Sequence, residues 1–345
     1  MPNPVKSIKQ ALETTRPNVP ILSKEEQQII QMIHSKTVQA NLNNLTRTAA
    51  YFHFYQQYPE LKWPFLAHMV SRNGGWNMTD LKSSLQSQLL TPAQQHYFFS
   101  FLERNNWLIF QDAYPQLLLY QESMKRQTNL THLLPYFHVS IFMQVLWNHF
   151  FNNRNSYLID TALIINEQHY IEKRVIQNKQ YQPTLKEKID MRLPELFQWN
   201  YILLPYLTRQ GTQIVGLPVQ HFHSLKQRIL LGKKLLHIIS QPVYHQAMVE
   251  WAESIKHSGS RSDYWPHVFT HHSTGNYIYS PTLPQAWENI KHQPALFDEW
   301  FHDDKVLTYF RPIKKNIHCA IAKDYVEALQ QLHTAAAVQS LFDQN

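Results

Sequence analysis

Apolar residues recur at helical spacing along most of the chain, and signals of helix-start type recur with them. Ser23-Lys24-Glu25-Glu26 has the form of a capping box and predicts a helix running to Asn41. Thr91 to Gln94 combines an N-cap, Pro92 at the first helical position and a glutamine at the third, predicting a helix through Phe110. Ser224 with Gln227 repeats the box before LKQRILLGKKLLHII. Pro242 opens VYHQAMVEWAESIKH, which Gly259 is placed to close. Further helices are expected at 43–58, 64–73, 79–89, 114–126, 131–151, 156–178, 186–198, 284–292 and 319–342. Strand-type alternation is nearly absent, and GTQIVGLPV at 211–219 is its best stretch. The expected fold is mostly α: a compact multi-helix globular protein with little or no β-structure. Residues 1–22 read as a loosely held N-terminal arm, and 23–345 as a helical domain with a sub-boundary near 179–185.

Composition sharpens this picture. Seven glycines in 345 residues are too few for hairpin-rich or barrel folds, which need many positive-φ turns. With 43% hydrophobic and 13% aromatic residues, the chain can build a large core. The one cysteine, Cys319, excludes a disulfide framework and any multi-cysteine metal site; beside Ala320 and Ile321 it reads as buried and inert. No apolar run reaches the roughly 18 residues of a membrane span, and no secretory signal is expected, so a reducing cytoplasm is the expected compartment.

The stretch AHMVSRNGGWNMTDLK, Ala67 to Lys82, places two of the seven glycines side by side. Gly74 fits a left-handed helix stop, and Asn77 with Asp80 fits a cap for the next helix. Arg72 shares a stripe with Phe65 and Met69, and a buried arginine demands a partner. Asp160, Ile164, Glu167, Ile171 and Arg174 form one stripe of the helix at 156–178, with His169 and Glu172 beside it. Glu167 is therefore the expected partner of Arg72. The leading functional expectation is an interior Arg/Glu/Asn cluster that binds a small polar or anionic ligand. In it Arg72 clamps, Asn73, Asn77 and Asp80 line the site, Glu167 orients Arg72 or acts as a base, and Arg174 lies nearby. A structural ion-pair network would have the same sequence signature. No reaction class or cofactor follows.

The net charge of +7 is uneven. Residues 172–234 hold eleven basic and four acidic side chains, whereas the remainder balances at 21 of each. This raises an alternative reading, a nucleic-acid or anionic-surface binder using Lys226, Arg228, Lys233 and Lys234. A scaffold without a ligand is the third reading, and the oligomeric state is open. Twenty histidines invite a metal, and His267 and His271 stand four apart near His272 and Asp263. That segment is short and lacks HExxH, so no metal is expected. In GSRSDYWPHVF, Arg261 and Asp263 stand beside Tyr264 and Trp265, which reads as a loop pinned by Trp265 or a ligand-facing loop. Trp287 is read as core.

Four stretches together resemble the YppC-like family of bacilli, a family of unknown function: NLTRTAAYFHFYQQYPELKWPFLAHMVSRNGGWNMTDLK, INEQHYIEKRV, HFHSLKQRILLGKKL and SRSDYWPHVF. The resemblance spans roughly 40 to 310. It implies an intracellular bacterial protein and supplies no activity, cofactor or catalytic residue.

Overall fold

A computed structural model describes residues 4–15, 21–178, 201–272, 277–296, 298–313 and 316–342. Helices dominate it. They are α1 (Pro4–Thr14), α2 (Lys24–Ala40), α3 (Asn44–Gln57), α4 (Trp63–Asp80), short α5 (Gln86–Leu89), α6 (Pro92–Arg126), α7 (Ile141–Asn153), α8 (Ser156–Ile171), α9 (Leu225–Ile239), α10 (Pro242–Ser254), short α11 (Leu283–Ala286) and α12 (Ala322–Phe342). A hairpin of β1 (Tyr201–Thr208) and β2 (Gly211–Pro218) lies between α8 and α9. A two-residue parallel pair, β3 (Phe269–Thr270) and β4 (Ile278–Tyr279), completes the strands among the described residues. The mostly-α reading holds.

Local capping explains where several helices begin. Ser23 and Glu26 form the expected reciprocal box, and so do Thr91 and Gln94. Ser224 accepts from the Gln227 amide at 3.4 Å. The centre of the core is α8, where Leu158 to Asn166 are all buried. Such a helix has no solvent face, so its charged and apolar stripes do not single out one inward direction. Around it pack Trp63, Phe65 and Met69 of α4, Phe110 and Leu117 of α6, Phe142 and Leu146 of α7, and Ile229 and Ile238 of α9. A last π-helical turn, Glu172–Ile176, extends α8.

Several boundaries differ from the sequence reading. The helices expected at 64–73 and 79–89 are one helix to Asp80 followed by short α5. Those expected at 92–110 and 114–126 are the single helix α6, with Pro115 inside it. Proline removes one backbone donor and crowds the preceding turn. Here Ala113, Tyr114, Gln116 and Leu117 are buried around it, and that packing keeps the helix continuous. Residues 131–137 are a 3₁₀ segment, not the start of α7. The arm holds a helix, α1, whose Ile8 and Leu12 enter the core, so this part is not loosely held. The expected helix at 186–198 and the sub-boundary near 179–185 lie outside the described residues.

In the hairpin, Tyr201 opposes Pro218 and Thr208 opposes Gly211, whose φ of 101° makes the turn. The best strand stretch of the sequence is thus β2. Its partner is β1, which carries Pro205 in its interior. Among the described residues, no helix is long and apolar enough to cross a membrane.

Candidate functional site

Helix α4 is buried nearly all round, from Trp63 to Asp80. Its first turn lacks a cap of its own, and Asp160 of α8 supplies one by accepting from the Lys62 and Trp63 amides at 3.1 and 2.9 Å. Gly74 and Gly75 lie in its interior and do not stop it. They admit close neighbours instead. A Cβ on Gly75 would stand 2.4 Å from both Asn44 Oδ1 and His257 Nε2, and one on Gly74 would stand 3.1 Å from Asn106.

Arg72 is fully buried, as its stripe implies. Its expected partner is absent: Arg72 and Glu167 form no ion pair. Glu167 neighbours Trp63, whose nearby indole opposes the rise in its pKa. Trp63 and Arg72 are nine residues apart on α4, about 13 Å along the axis. The Arg72 guanidinium instead lies over the Trp251 ring of α10, 4.3 Å from its centre, and Nη2 donates to the Ile255 carbonyl. Nε and Nη1 are buried with no hydrogen-bond partner. Burial draws Arg72 down to about 10, with Asp263 opposing, so it stays charged at neutral pH.

One turn earlier on the same face is His68, 3% exposed. Its Nδ1 is 2.8 Å from the Thr48 carbonyl of α3, while Nε2 is buried and unpartnered. Thr48 Oγ1 and Trp251 Nε1 are also buried without partners. Orphaned polar atoms thus accumulate where α3, α4 and α10 meet. This is the feature to be explained, because each such atom costs about 1–3 kcal/mol.

The neighbouring polar groups contact one another, and because both partners of His257 are acceptors, both of its contacts are hydrogen bonds only when the ring carries two protons. His257 bridges Asp263 Oδ2 (3.1 Å, from Nδ1) and Asn44 Oδ1 (2.8 Å, from Nε2). Asn44 in turn donates to the Ser71 carbonyl at 2.9 Å. Asp263 also accepts from Trp76 Nε1 and from the Ser258 amide, both at 3.1 Å, and from the Ser258 hydroxyl at 2.5 Å. Burial would raise the Asp263 pKa, but the bonds from His257 and Ser258 hold it below its ordinary value. Asp263 therefore belongs to His257 rather than to Arg261, its neighbour in the loop.

The other expected lining residues are occupied. The Asn73 carboxamide donates to the Leu203 carbonyl and accepts from the Leu203 amide, both at 2.8 Å, which pins β1 to α4. Asn77 and Asp80 do not cap a following helix. They sit in the last turn of α4 and receive Arg261. Its Nε and Nη2 reach Asp80 at 2.8 and 2.5 Å, Nη2 reaches Asn77 at 3.1 Å, and Nη1 reaches the Tyr264 and Tyr325 hydroxyls at 2.8 Å. The loop is thus pinned by Arg261 and fully buried Tyr264, while Trp265 is only half-buried. Helix α10 ends at Ser254; Gly259, at φ 86°, turns this loop and does not close the helix. Arg174 lies on the Tyr170 ring, 3.9 Å from its centre, and donates to the Tyr170 and Asp298 carbonyls at 2.9 and 3.1 Å, remote from Arg72.

Glu167 belongs to a separate group of carboxyls. Burial pushes Glu167 up to about 8, with Gln168 opposing. It pushes Asp112 and Asp160 to about 7, opposed by Asn166 and by the Trp63 amide. These groups keep protons in the folded state that the unfolded chain releases near pH 4, so their contribution is full below that pH. It is lost as the pH rises through 7 to 8, each group contributing a slope of about 1.4 kcal/mol per pH unit while only the folded form is protonated. Glu167→Gln is expected to flatten the decline in stability between pH 5 and 8. Urea denaturation across that range checks it, and an unchanged slope would count against a protonated Glu167.

Of the four expected basic-face residues, two are spent internally. Arg228 is 5% exposed, pairs with Glu172 and donates to Gln168 at 2.9 Å. Lys233 is 6% exposed and donates to the Tyr309 and Arg311 carbonyls. Lys226 is exposed and Lys234 half-buried. Among the described residues no group of three or more His, Cys, Asp or Glu side chains could hold a metal ion. Cys319 is half-buried rather than buried, with Sγ 3.8 Å from the Tyr244 hydroxyl. Trp287 is likewise half-buried; it stacks on Phe99 at 4.1 Å.

Sequence reasoning found Arg72 but missed His68, Thr48, Trp251 and His257. The i, i+4 spacing of His68 and Arg72 was the available signal. The family model described as "Protein of unknown function (DUF2515)" matches residues 39–325, which include every residue of this cluster. The "Uncharacterized protein YppC" of Bacillus subtilis (strain 168) is 36% identical over 320 residues, 91% of this chain and 98% of that relative. No solved structure matches.

Proposed function

The chain belongs to the DUF2515 family, and we propose that it is a cytoplasmic binding protein for a small oxyanion, recognised by Arg72. One observation carries this reading: a fully buried guanidinium has Nε and Nη1 unpartnered and no carboxylate in ion-pair contact. Burying an unpaired charge costs several kcal/mol, and an anion repays that cost. Trp251 supports the arrangement, since its ring lies 4.3 Å from the guanidinium carbon, while Nε and Nη1, on separate edges of the group, are each left able to donate to an oxyanion oxygen. The single cysteine supports a reducing compartment. Asn73, Asn77, Asp80, Glu167 and Arg174 have no part in this reading, because each has partners or a position elsewhere, and no reaction class is assigned.

Ligand that binds only the folded form raises the unfolding midpoint with concentration. Sodium phosphate, sulfate and acetate, each titrated at constant ionic strength, test this directly. At least one is expected to raise the midpoint in the wild type and to lose that effect in Arg72→Lys, which keeps the charge but not the fork. If none raises it, the buried cluster is a packing device and the oxyanion reading fails.

A further inference from the structure

We infer that the oxyanion carries a proton of its own at neutral pH, as hydrogenphosphate does and sulfate does not; this rests on the Arg72 reading above. His68 sets this requirement. Its Nδ1 faces the Thr48 carbonyl at 2.8 Å, and a carbonyl can only accept, so Nδ1 carries the ring proton. The ring packs against both Phe52 and Phe65, at 4.7 and 6.2 Å between centres, which holds that orientation. Burial, and then the charge of Arg72, keep the imidazole neutral. Nε2 is therefore a bare lone pair, buried and without a donor.

Within one helical turn the site presents two kinds of unmet demand. Arg72 Nε and Nη1, on separate edges of the guanidinium, each need an acceptor, and His68 Nε2 needs a donor. A fully deprotonated oxyanion satisfies Arg72 but sets a lone pair against that of His68. An oxyanion with one O–H satisfies both: its unprotonated oxygens accept from Arg72, and its O–H donates to Nε2. The Thr48 hydroxyl, also unpartnered, can accept or donate beside it. A site of this kind discriminates by hydrogen-bond complementarity between two tetrahedral anions of similar size, because the wrong one leaves a buried group unpaired.

The test is titration calorimetry of the full chain with sodium phosphate and with sodium sulfate at pH 7 and constant ionic strength. Phosphate is expected to bind at least ten-fold more tightly. His68→Phe, which keeps the aromatic stack and removes the acceptor, is expected to bring the ratio close to one. Imidazole ¹⁵N spectra of the wild type give a readout independent of that variant's folding: the Nε2 resonance is expected to be that of an unprotonated nitrogen and to move on adding phosphate. Equal binding of both anions overturns the proton requirement and leaves the Arg72 reading standing. Binding of neither anion, with the His68 resonance unmoved by phosphate, overturns the proton requirement; if acetate also fails to raise the unfolding midpoint, the Arg72 reading falls with it.

Discussion

Gly75→Ala is expected to cost about 3 kcal/mol of stability, whereas Gly74→Ala stays within about 1 kcal/mol of the wild type. Both glycines lie in the interior of α4, neither has a positive φ, and alanine is the better helix former by about 1 kcal/mol. What separates them is what each faces. At Gly75 the new methyl group would lie 2.4 Å from Asn44 Oδ1 and His257 Nε2. Those two atoms are bonded to each other at 2.8 Å and anchored behind by Ser71 and Asp263, so neither can retreat without breaking a buried bond. At Gly74 the nearest atoms belong to the tip of the half-buried Asn106 side chain, at 3.1 and 3.2 Å, which can yield. Urea denaturation of the two variants measures the difference. A larger loss at Gly74 would restore its role as a helix stop.

Arg261→Met is expected to destabilise by about 3–5 kcal/mol, the cost of leaving a buried carboxylate, here Asp80, unpaired. Arg261 has all its donors satisfied by Asp80, Asn77, Tyr264 and Tyr325, so it ties the loop after α10 to the end of α4 and to α12. The double variant Arg261→Met/Asp80→Leu is expected to lose less than the sum of the single losses, because it leaves no orphaned charge. Additive losses would mean that the pair acts only through separate packing.

Reading the chain residue by residue captured what is local. The Ser23 and Thr91 boxes act within four residues and appear in the structure as expected. Burial of Arg72 also follows from its stripe. The partner did not follow, because α8 is buried all round from Leu158 to Asn166, and its Asp160–Glu167 stripe carries no information on which neighbour each carboxyl meets. Gly74 and Gly75 have the same local signature as a stop; only the approach of Asn44 from α3 and His257 from beyond α10 reveals their use. Pro115 misled in the same way, since tertiary packing outweighs one missing donor. The candidate site is assembled from α3, α4 and α10, segments up to about two hundred residues apart, and no sequence period links them.

The bond between Asn73 and Leu203 has a consequence for how the protein behaves among its own copies. Leu203 and Gly216 are opposite each other in the hairpin. On the outer side of β1 the Asn73 carboxamide takes both backbone groups of Leu203, imitating a missing strand. On the outer side of β2 the Gly216 amide donates to the Cys319 carbonyl at 2.9 Å. Both margins of this small sheet are thus closed at the same rung. An open margin is a template on which another chain can add a strand, the usual start of edge-to-edge aggregation. Here a single side chain and one stretch of backbone occupy that template at the Leu203–Gly216 rung, so another chain adding a strand to either margin of this hairpin would first have to displace them.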